Sequence, residues 1–177
     1  SQNLDFAQYQ KEMNEKKKPA SFTIKNFTVS VTTEIQKVEN YGQNVAGYLP
    51  GNDPLLKDEY IVIGAHHDHI GWGDFGTMFQ GSSKEIHNGA DDNASGTAGV
   101  IELARQFSSV KENLRRSIIF MTFSGEELGL IGSQYFTQNS PVDLEKIVTM
   151  INLDMIGRMN DENTLILNGT GSSSIWH

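Results

Sequence analysis

The chain has 177 residues, of which 22 are acidic and 14 are Lys or Arg, giving a formal net charge of −8. This length suits one globular domain, and the acidic balance excludes the basic face that nucleic acid requires. There is no cysteine, which excludes thiol catalysis, and no apolar run near the ~20 residues of a membrane-spanning helix.

The first 38 residues are predicted to form a helix followed by strands. Phe6, Tyr9 and Met13 recur at helical spacing within 3–17, which predicts a short amphipathic helix. Residues 21–38 alternate apolar and polar side chains, which predicts a hairpin or a pair of strands with one face in water. No targeting segment is predicted, because a basic stretch followed by an apolar one is absent here.

Residues 39–177 show short apolar stretches alternating with helical patterns. Strands are predicted at 44–49, 60–65, 117–123, 147–153 and 164–168, helices at 94–108 and 128–138, and a long Gly-rich loop at 71–90. Continuously apolar strands need cover on both faces of their sheet, and the alternating helices supply it. The sequence therefore predicts an α/β fold.

Side chains able to bind a metal follow the predicted strands. They are His66-His67-Asp68-His69, Ser124-Gly125-Glu126-Glu127, Asp154 and, before a helix, Asp91-Asp92. Ligands of α/β sheets bind beyond the carboxyl ends of the strands, so we expect these clusters to converge in one cleft. Histidine with carboxylates, without thiols, is the ligand set of a hydrolytic zinc or similar divalent centre.

Each cluster alone has an ordinary structural interpretation, since aspartates cap helices and adjacent glutamates favour a helix start. The run Asp91-x-Asn93-x-Ser95-Gly96, with Glu102, also fits a calcium-binding loop. That loop requires an incoming helix, whereas residues 80–90 have the composition of a loop. The clusters at successive strand ends together favour the metal site.

Four segments in this order resemble the co-catalytic zinc exopeptidases, the family of the secreted bacterial leucyl aminopeptidases and glutamate carboxypeptidase. They are Gly64–His69, Asn88–Gly96, Ser124–Leu130 and Ile151–Asp154. The resemblance implies a three-layer sandwich with a mainly parallel mixed sheet flanked by helices. It also implies that residues 39–177 are part of a catalytic core, and it raises the expectation of an extracytoplasmic location.

The resemblance implies two zinc ions and a role for each ligand. His66 and Asp154 would bind one zinc, Glu127 would bind the other, and Asp91 would bridge the pair. A bridging carboxylate suits this task because its two oxygens hold two cations at the ~3.5–4 Å separation of co-catalytic sites.

The resemblance also implies two further roles. Glu126 would be the general base that takes a proton from a metal-activated water, and Asp68 would hold the imidazole of His66. The predicted function is that of a zinc aminopeptidase acting on the N-terminal residue of peptides. Alternatives are a carboxypeptidase or one-zinc glutaminyl cyclase of the same fold, and a non-catalytic relative or inactive fragment that acts only in binding.

The second zinc is expected to lack a ligand, since only Asp91 and Glu127 serve it; in the family a histidine far downstream fills that place. His69 is expected to face away, His87 to lie in the loop, and His177 to lie at a loose Ser-rich end. We therefore expect at most one well-bound metal, little or no peptidase activity, and self-association through apolar surface left uncovered.

Overall fold

The chain divides into two compact units, Ser1–Glu39 and Asn40–His177. The structure is a computed structural model that describes residues 5–19, 21, 23, 28, 30–73, 76–77, 85–164 and 166–174. The first unit contains helix α1 (Phe6–Lys16), and the Asp5 carboxylate caps it by accepting from two backbone N–H groups of the first turn.

The strands predicted at 21–38 are not present in the described residues of that segment. Residues 30–38 form no strand, and 22, 24–27 and 29 lie outside the described residues. The apolar side chains of Val31, Ile35 and Val38 are exposed. An alternating pattern folds into a sheet only where one face is buried, and these side chains bury none.

The second unit contains one four-stranded sheet. Its strands are β1 (Val45–Leu49), β2 (Tyr60–His66), β3 (Ser117–Phe123) and β4 (Ile147–Asn152), in the order β1-β3-β2-β4. β2 runs parallel to both of its neighbours, and β1 runs antiparallel to β3. The predicted mainly parallel mixed sheet is therefore confirmed.

Helices α2 (Gly96–Ser109) and α3 (Ile131–Gln138) cover opposite faces of this sheet. Successive residues of β2 and β3 point to opposite faces, so the buried core divides into two clusters. The cluster under α3 consists of Val62, Ile119, Met121, Phe123 and Phe136. The cluster under α2 consists of Ile63, Ala65, Val100, Ile118 and Phe120. Helix, sheet and helix form the three predicted layers.

The strand predicted at 164–168 is absent from the described residues of that stretch, 164 and 166–168. The Asn160 side chain closes a turn by accepting from the Thr164 N–H at 2.9 Å. Beyond it, Ile166 is 76 % and Leu167 is 67 % exposed. In the part of the chain that the structure describes, no strand pairs with the outer edge of β4, so this apolar stretch does not extend the sheet.

Helices α1, α2 and α3 are all too short or too polar to cross a bilayer, and the described residues contain no other candidate.

Candidate metal centre

His66 stands at the carboxyl end of β2 and is only 3 % exposed. Its Nδ1 lies 3.0 Å from the carbonyl oxygen of Asp68, which can only accept, so Nδ1 carries the proton. Its Nε2 lies 3.2 Å from Asp92 Oδ1 and 3.7 Å from Asp154 Oδ1. Two carboxylates facing one imidazole nitrogen concentrate negative charge, which a cation bound between them would neutralise. The donor set therefore fits a metal ion.

Asp92, and not Asp91, supplies the carboxylate of this cluster. Asp91 Oδ1 accepts from the Gly157 N–H at 2.9 Å, and its Oδ2 accepts from Arg158 Nε at 3.0 Å. The Arg158 guanidinium holds the pKa of Asp91 below its ordinary value. The backbone at Asp92 is extended, with φ −103° and ψ 92°, so its side chain departs in another direction. The placement of Asp91 in the cluster is corrected to Asp92.

His69 lies in the same cluster, so the expectation that it faces away is wrong. Its Nδ1 lies 2.6 Å from Glu127 Oε1 and 4.0 Å from Asp92 Oδ1. The alternation of a strand ends at His66, and residues 67–70 have no regular structure. The rule that alternate side chains of an extended strand point to opposite sides therefore does not predict the direction of His69.

The potential ligands form two sets of three that share one carboxylate. His66, Asp92 and Asp154 form the first set, and His69, Asp92 and Glu127 form the second, with the ligand atoms of each set within 4.8 Å of one another. A third group, of His66, Glu126 and Glu127, overlaps both sets. Asp92 thus occupies the position that a bridge between two cations requires.

Glu126 is held at the turn that follows β3, where Gly125 has a φ of +71° that favours glycine. Its backbone N–H donates to Asp68 Oδ1 at 3.2 Å. Burial raises the pKa of Glu126, His66 opposes this, and the carboxylates of Glu127, Asp154 and Asp68 add to it. A carboxylate with a raised pKa is suited to accepting a proton near neutral pH.

Asp68 holds the imidazole of His66 through its backbone and not through its carboxylate. The carbonyl oxygen makes the 3.0 Å contact with His66 Nδ1, whereas Asp68 Oδ1 is 3.8 Å from the same nitrogen. The carboxylate instead accepts from the N–H of Glu126. Asp68 therefore links the His66 turn to the Glu126 turn.

The raised pKa of Glu126 predicts a pH-dependent stability difference in the metal-free chain. The folded chain binds this proton more tightly than the unfolded chain, so its stabilising contribution is present at low pH and lost as the pH rises through the folded-state pKa. We expect the free energy of unfolding of the wild type, minus that of Glu126→Gln, to fall as the pH rises from below the ordinary carboxyl pKa through the raised folded-state pKa of Glu126. Urea unfolding with chelator measures this difference, and a rise with pH contradicts the prediction.

Asn93 joins the Asp92 turn to the end of β4. This side chain is 1 % exposed; its amide donates to the Leu153 carbonyl at 3.0 Å, and its Oδ1 accepts from the N–H groups of Gly96 and Met155 at 3.0 and 3.2 Å. A Cβ at Gly96 would lie 2.3 Å from the Leu153 oxygen, so only glycine lets α2 begin here. These contacts hold Asp92 near Asp154.

Replacing Asn93 with Ala is expected to lower the free energy of unfolding by about 2–4 kcal/mol, because buried N–H and C=O groups lose their partners. Asn139→Ala is the matched control, because the Asn139 amide donates to the Tyr135 carbonyl at 3.1 Å on the surface. We expect it to change the stability by about 0.5 kcal/mol or less. Urea unfolding measures both, and equal effects would contradict the role given to Asn93.

The sequence analysis named Asp92 and His69 among the side chains able to bind a metal but gave neither a role, and it gave Asn93 no role in the site. Asp91 and Asp92 have identical side chains, and the neighbouring sequence does not indicate that Asp91 forms an ion pair with Arg158. For His69 a signal existed, since it stands three residues from His66 in the same cluster. Asn93 also carried a signal, because an Asn directly before a small-residue helix start is a common cap.

Residues 44–177 match the profile of peptidase family M28. The chain is 33 % identical over 137 residues to a probable zinc metalloprotease of Pyrenophora teres f. teres, covering 77 % of this chain and 25 % of that protein. It is 32 % identical over 139 residues to leupeptin-inactivating enzyme 1 of Streptomyces exfoliatus, covering 78 % and 26 %. It is 30 % identical over 116 residues to aminopeptidase YwaD of Bacillus subtilis, covering 65 % and 22 %.

Among solved structures, the aminopeptidase from Aneurinibacillus sp. strain AM-1 matches with 32 % identity and a TM-score of 0.47. The match covers 63 % of this chain and 24 % of that one. The chain thus spans about a quarter of the length of these relatives. Since the family profile covers three quarters of the sequence, including every strand of the sheet, the chain belongs to peptidase family M28, a family of metallopeptidases.

Proposed function

We propose that this chain carries the metal centre of a zinc aminopeptidase, an enzyme that removes the N-terminal residue from peptides. The observation that carries the proposal is the pair of ligand sets that share Asp92. Such an arrangement serves co-catalytic sites, where two cations lie ~3.5–4 Å apart. The names of the relatives, which include zinc metalloprotease and aminopeptidase, support both the metal and the reaction.

The donor atoms favour zinc, because imidazole nitrogen and carboxylate oxygen are its ordinary ligands in hydrolytic sites. His66, Asp92 and Asp154 would hold the first ion, and Asp92 and Glu127 would hold the second. When bound, zinc acts as a Lewis acid on the scissile carbonyl and lowers the pKa of a water molecule towards neutrality.

Glu126 is the general base in this proposal, which its place beside the ligand sets and the upward shift of its pKa support. It shares a group with His66 and Glu127, within 4.8 Å, yet it belongs to neither of the sets that share Asp92. It would take the proton of the attacking water and pass it to the leaving amine. Adjacent glutamates thereby divide the work, with Glu127 binding metal and Glu126 moving the proton.

We further infer that the second zinc binds weakly to this chain. The first set has one nitrogen at a distance from its carboxylates that suits coordination. In the second set His69 Nδ1 lies at hydrogen-bonding distance, 2.6 Å, from Glu127 Oε1, which leaves the carboxylates of Asp92 and Glu127 for the ion. The expected behaviour of these 177 residues is one tightly bound zinc, one weakly bound zinc, and slow turnover.

Zinc stoichiometry measured together with turnover of a panel of aminoacyl anilides tests the proposal. We expect zinc-dependent release of the amine at saturating zinc. A carboxypeptidase would instead release the C-terminal residue of blocked peptides, and a one-zinc cyclase would release no amino acid. A chain that binds no zinc, or that binds zinc and turns over no member of the panel, would overturn the aminopeptidase assignment.

The outer edge of β4 is proposed to drive self-association. Val148 on this edge strand is 47 % exposed, Met150 is also exposed, and no strand of the described residues pairs with the outer backbone groups of β4. We expect sedimentation velocity to show a concentration-dependent increase in mass that Val148→Lys abolishes. Val110→Lys, at an exposed apolar residue after α2, is the matched control. Equal effects of both variants would contradict a role for this edge.

A further inference from the structure

We propose that His69 is a positioning residue for Glu127. In this assignment the His69 Nδ1–H donates to Glu127 Oε1 and leaves the other carboxylate oxygen, Oε2, for the second zinc. The inference rests on the proposed function, because it assigns a task to a side chain that the proposed ligand sets do not use.

The distances within the two ligand sets distinguish coordination from hydrogen bonding. Two ligand atoms at ~2.1 Å from one tetrahedral zinc lie about 3.4 Å apart. The His66 Nε2 distances to Asp92 and Asp154, 3.2 and 3.7 Å, lie on either side of that value. The 2.6 Å between His69 Nδ1 and Glu127 Oε1 is too short for shared coordination and suits a charge-assisted hydrogen bond.

The surroundings of His69 restrict its ring to this contact. Asp92 Oδ1, at 4.0 Å from Nδ1, is beyond hydrogen-bonding distance, which leaves Glu127 as the partner. Gly89 packs against the base of the side chain, since a Cβ built there would lie 2.7 Å from the His69 Cβ. Gly89 also has a φ of +62°, so the loop approaches the imidazole through glycine backbone.

A hydrogen bond from the imidazole would act on the second zinc through Glu127. It fixes which carboxylate oxygen faces the ion and removes the rotational freedom of a side chain that is only partly buried. Partners of this kind typically change metal affinity by 10–100-fold when removed. This hydrogen bond requires a proton on His69 Nδ1. If Nδ1 coordinated a metal instead, it would carry no proton, so the two roles exclude each other.

His69→Asn and His69→Ala separate the two roles in the 177-residue chain. The amide nitrogen of Asn takes nearly the position of Nδ1 and can donate, but it has no lone pair for a metal. Titration of zinc against a competing chelator should show the second zinc weakened about 10–100-fold by Ala and restored by Asn to within about 3-fold, with the first zinc unchanged. His67→Asn and His67→Ala are the controls, because His67 is exposed.

Two outcomes of the zinc titration would overturn the assignment. Equal losses in His69→Asn and His69→Ala would make His69 a ligand, and no loss in His69→Ala would make it a bystander. NMR of the metal-free chain decides the matter even if no second zinc is taken up, a result that would count against the proposed function alone. There we expect His69 to be protonated at Nδ1 with slow exchange, and Glu127→Ala to remove that protection; a bare Nδ1 contradicts the proposal.

Discussion

Asp92→Ala is expected to abolish tight zinc binding by this chain, whereas Asp91→Ala is expected to preserve it. Among the described residues, Asp92 Oδ1 lies near both His66 and His69, at 3.2 and 4.0 Å. Removing it takes a ligand from each set. The loss of zinc affinity should therefore exceed the ~100-fold that is typical, at most, for removing a residue that only hydrogen-bonds to a ligand. Equilibrium dialysis followed by metal analysis measures both variants against the wild type.

The Asp91→Ala variant is a stringent control because the neighbouring residues have identical side chains. Asp91 contacts the Gly157 N–H and Arg158, neither of which is a metal donor. Its removal should loosen the 155–158 segment and leave zinc affinity within about 3-fold of the wild type. If Asp91→Ala releases the zinc and Asp92→Ala keeps it, the bridge is the residue that the sequence first suggested.

Glu126→Gln is expected to reduce kcat by at least ~10² at saturating zinc and to leave zinc content unchanged. Gln keeps the shape of the side chain and the N–H that donates to Asp68, but its amide cannot accept a proton. The rate of anilide cleavage at high enzyme concentration, with free zinc as the blank, gives the ratio. The zinc content of the same samples shows whether the loss lies in chemistry or in binding.

Glu127→Gln is the matched comparison, because it alters the adjacent residue of the same turn. In that variant the second zinc should weaken, and the lost rate should recover in part as zinc is raised. Adding zinc should not rescue Glu126→Gln. If both variants respond to zinc in the same way, the division of labour between the two glutamates is wrong.

The sequence predicted the layers and the strands well, because the inner strands are buried on both faces. β2 and β3 are continuous apolar runs between polar turns, and such runs have few alternative structures in a chain of this size. The segments that failed, 21–38 and 164–168, have strand-like composition, but their described residues have no partner strand. Strand propensity reflects how well a residue packs in a half-buried sheet, and it does not by itself supply the neighbouring strand or the packed face.

The sequence indicated which loops form the candidate site, but it did not always indicate which residue of a loop faces the site. His66, Glu127 and Asp154 were singled out because they lie at the carboxyl ends of β2, β3 and β4, at the strand end or within four residues of it. Asp92 lies on an irregular turn, Ala90–Ser95, where local backbone angles decide which carboxylate faces the cleft. His69 was misjudged because the chain leaves its extended path after His66. Side-chain direction outside regular elements depends on tertiary contacts that a linear pattern does not contain.

The hydrogen bonds of Asn93 connect the metal centre to the end of β4, an edge strand of the sheet. A lone edge strand frays more easily than the strands inside a sheet, and opening its end at Leu153 would break the Asn93 amide contact as well as the Leu153 N–H bond to Gly64. The turn that carries Asp92 would lose its anchor in the same event. Zinc binding and closure of β4 are thus thermodynamically linked, so zinc should slow amide hydrogen exchange at Leu153 and Met155, the two residues that flank the proposed ligand Asp154.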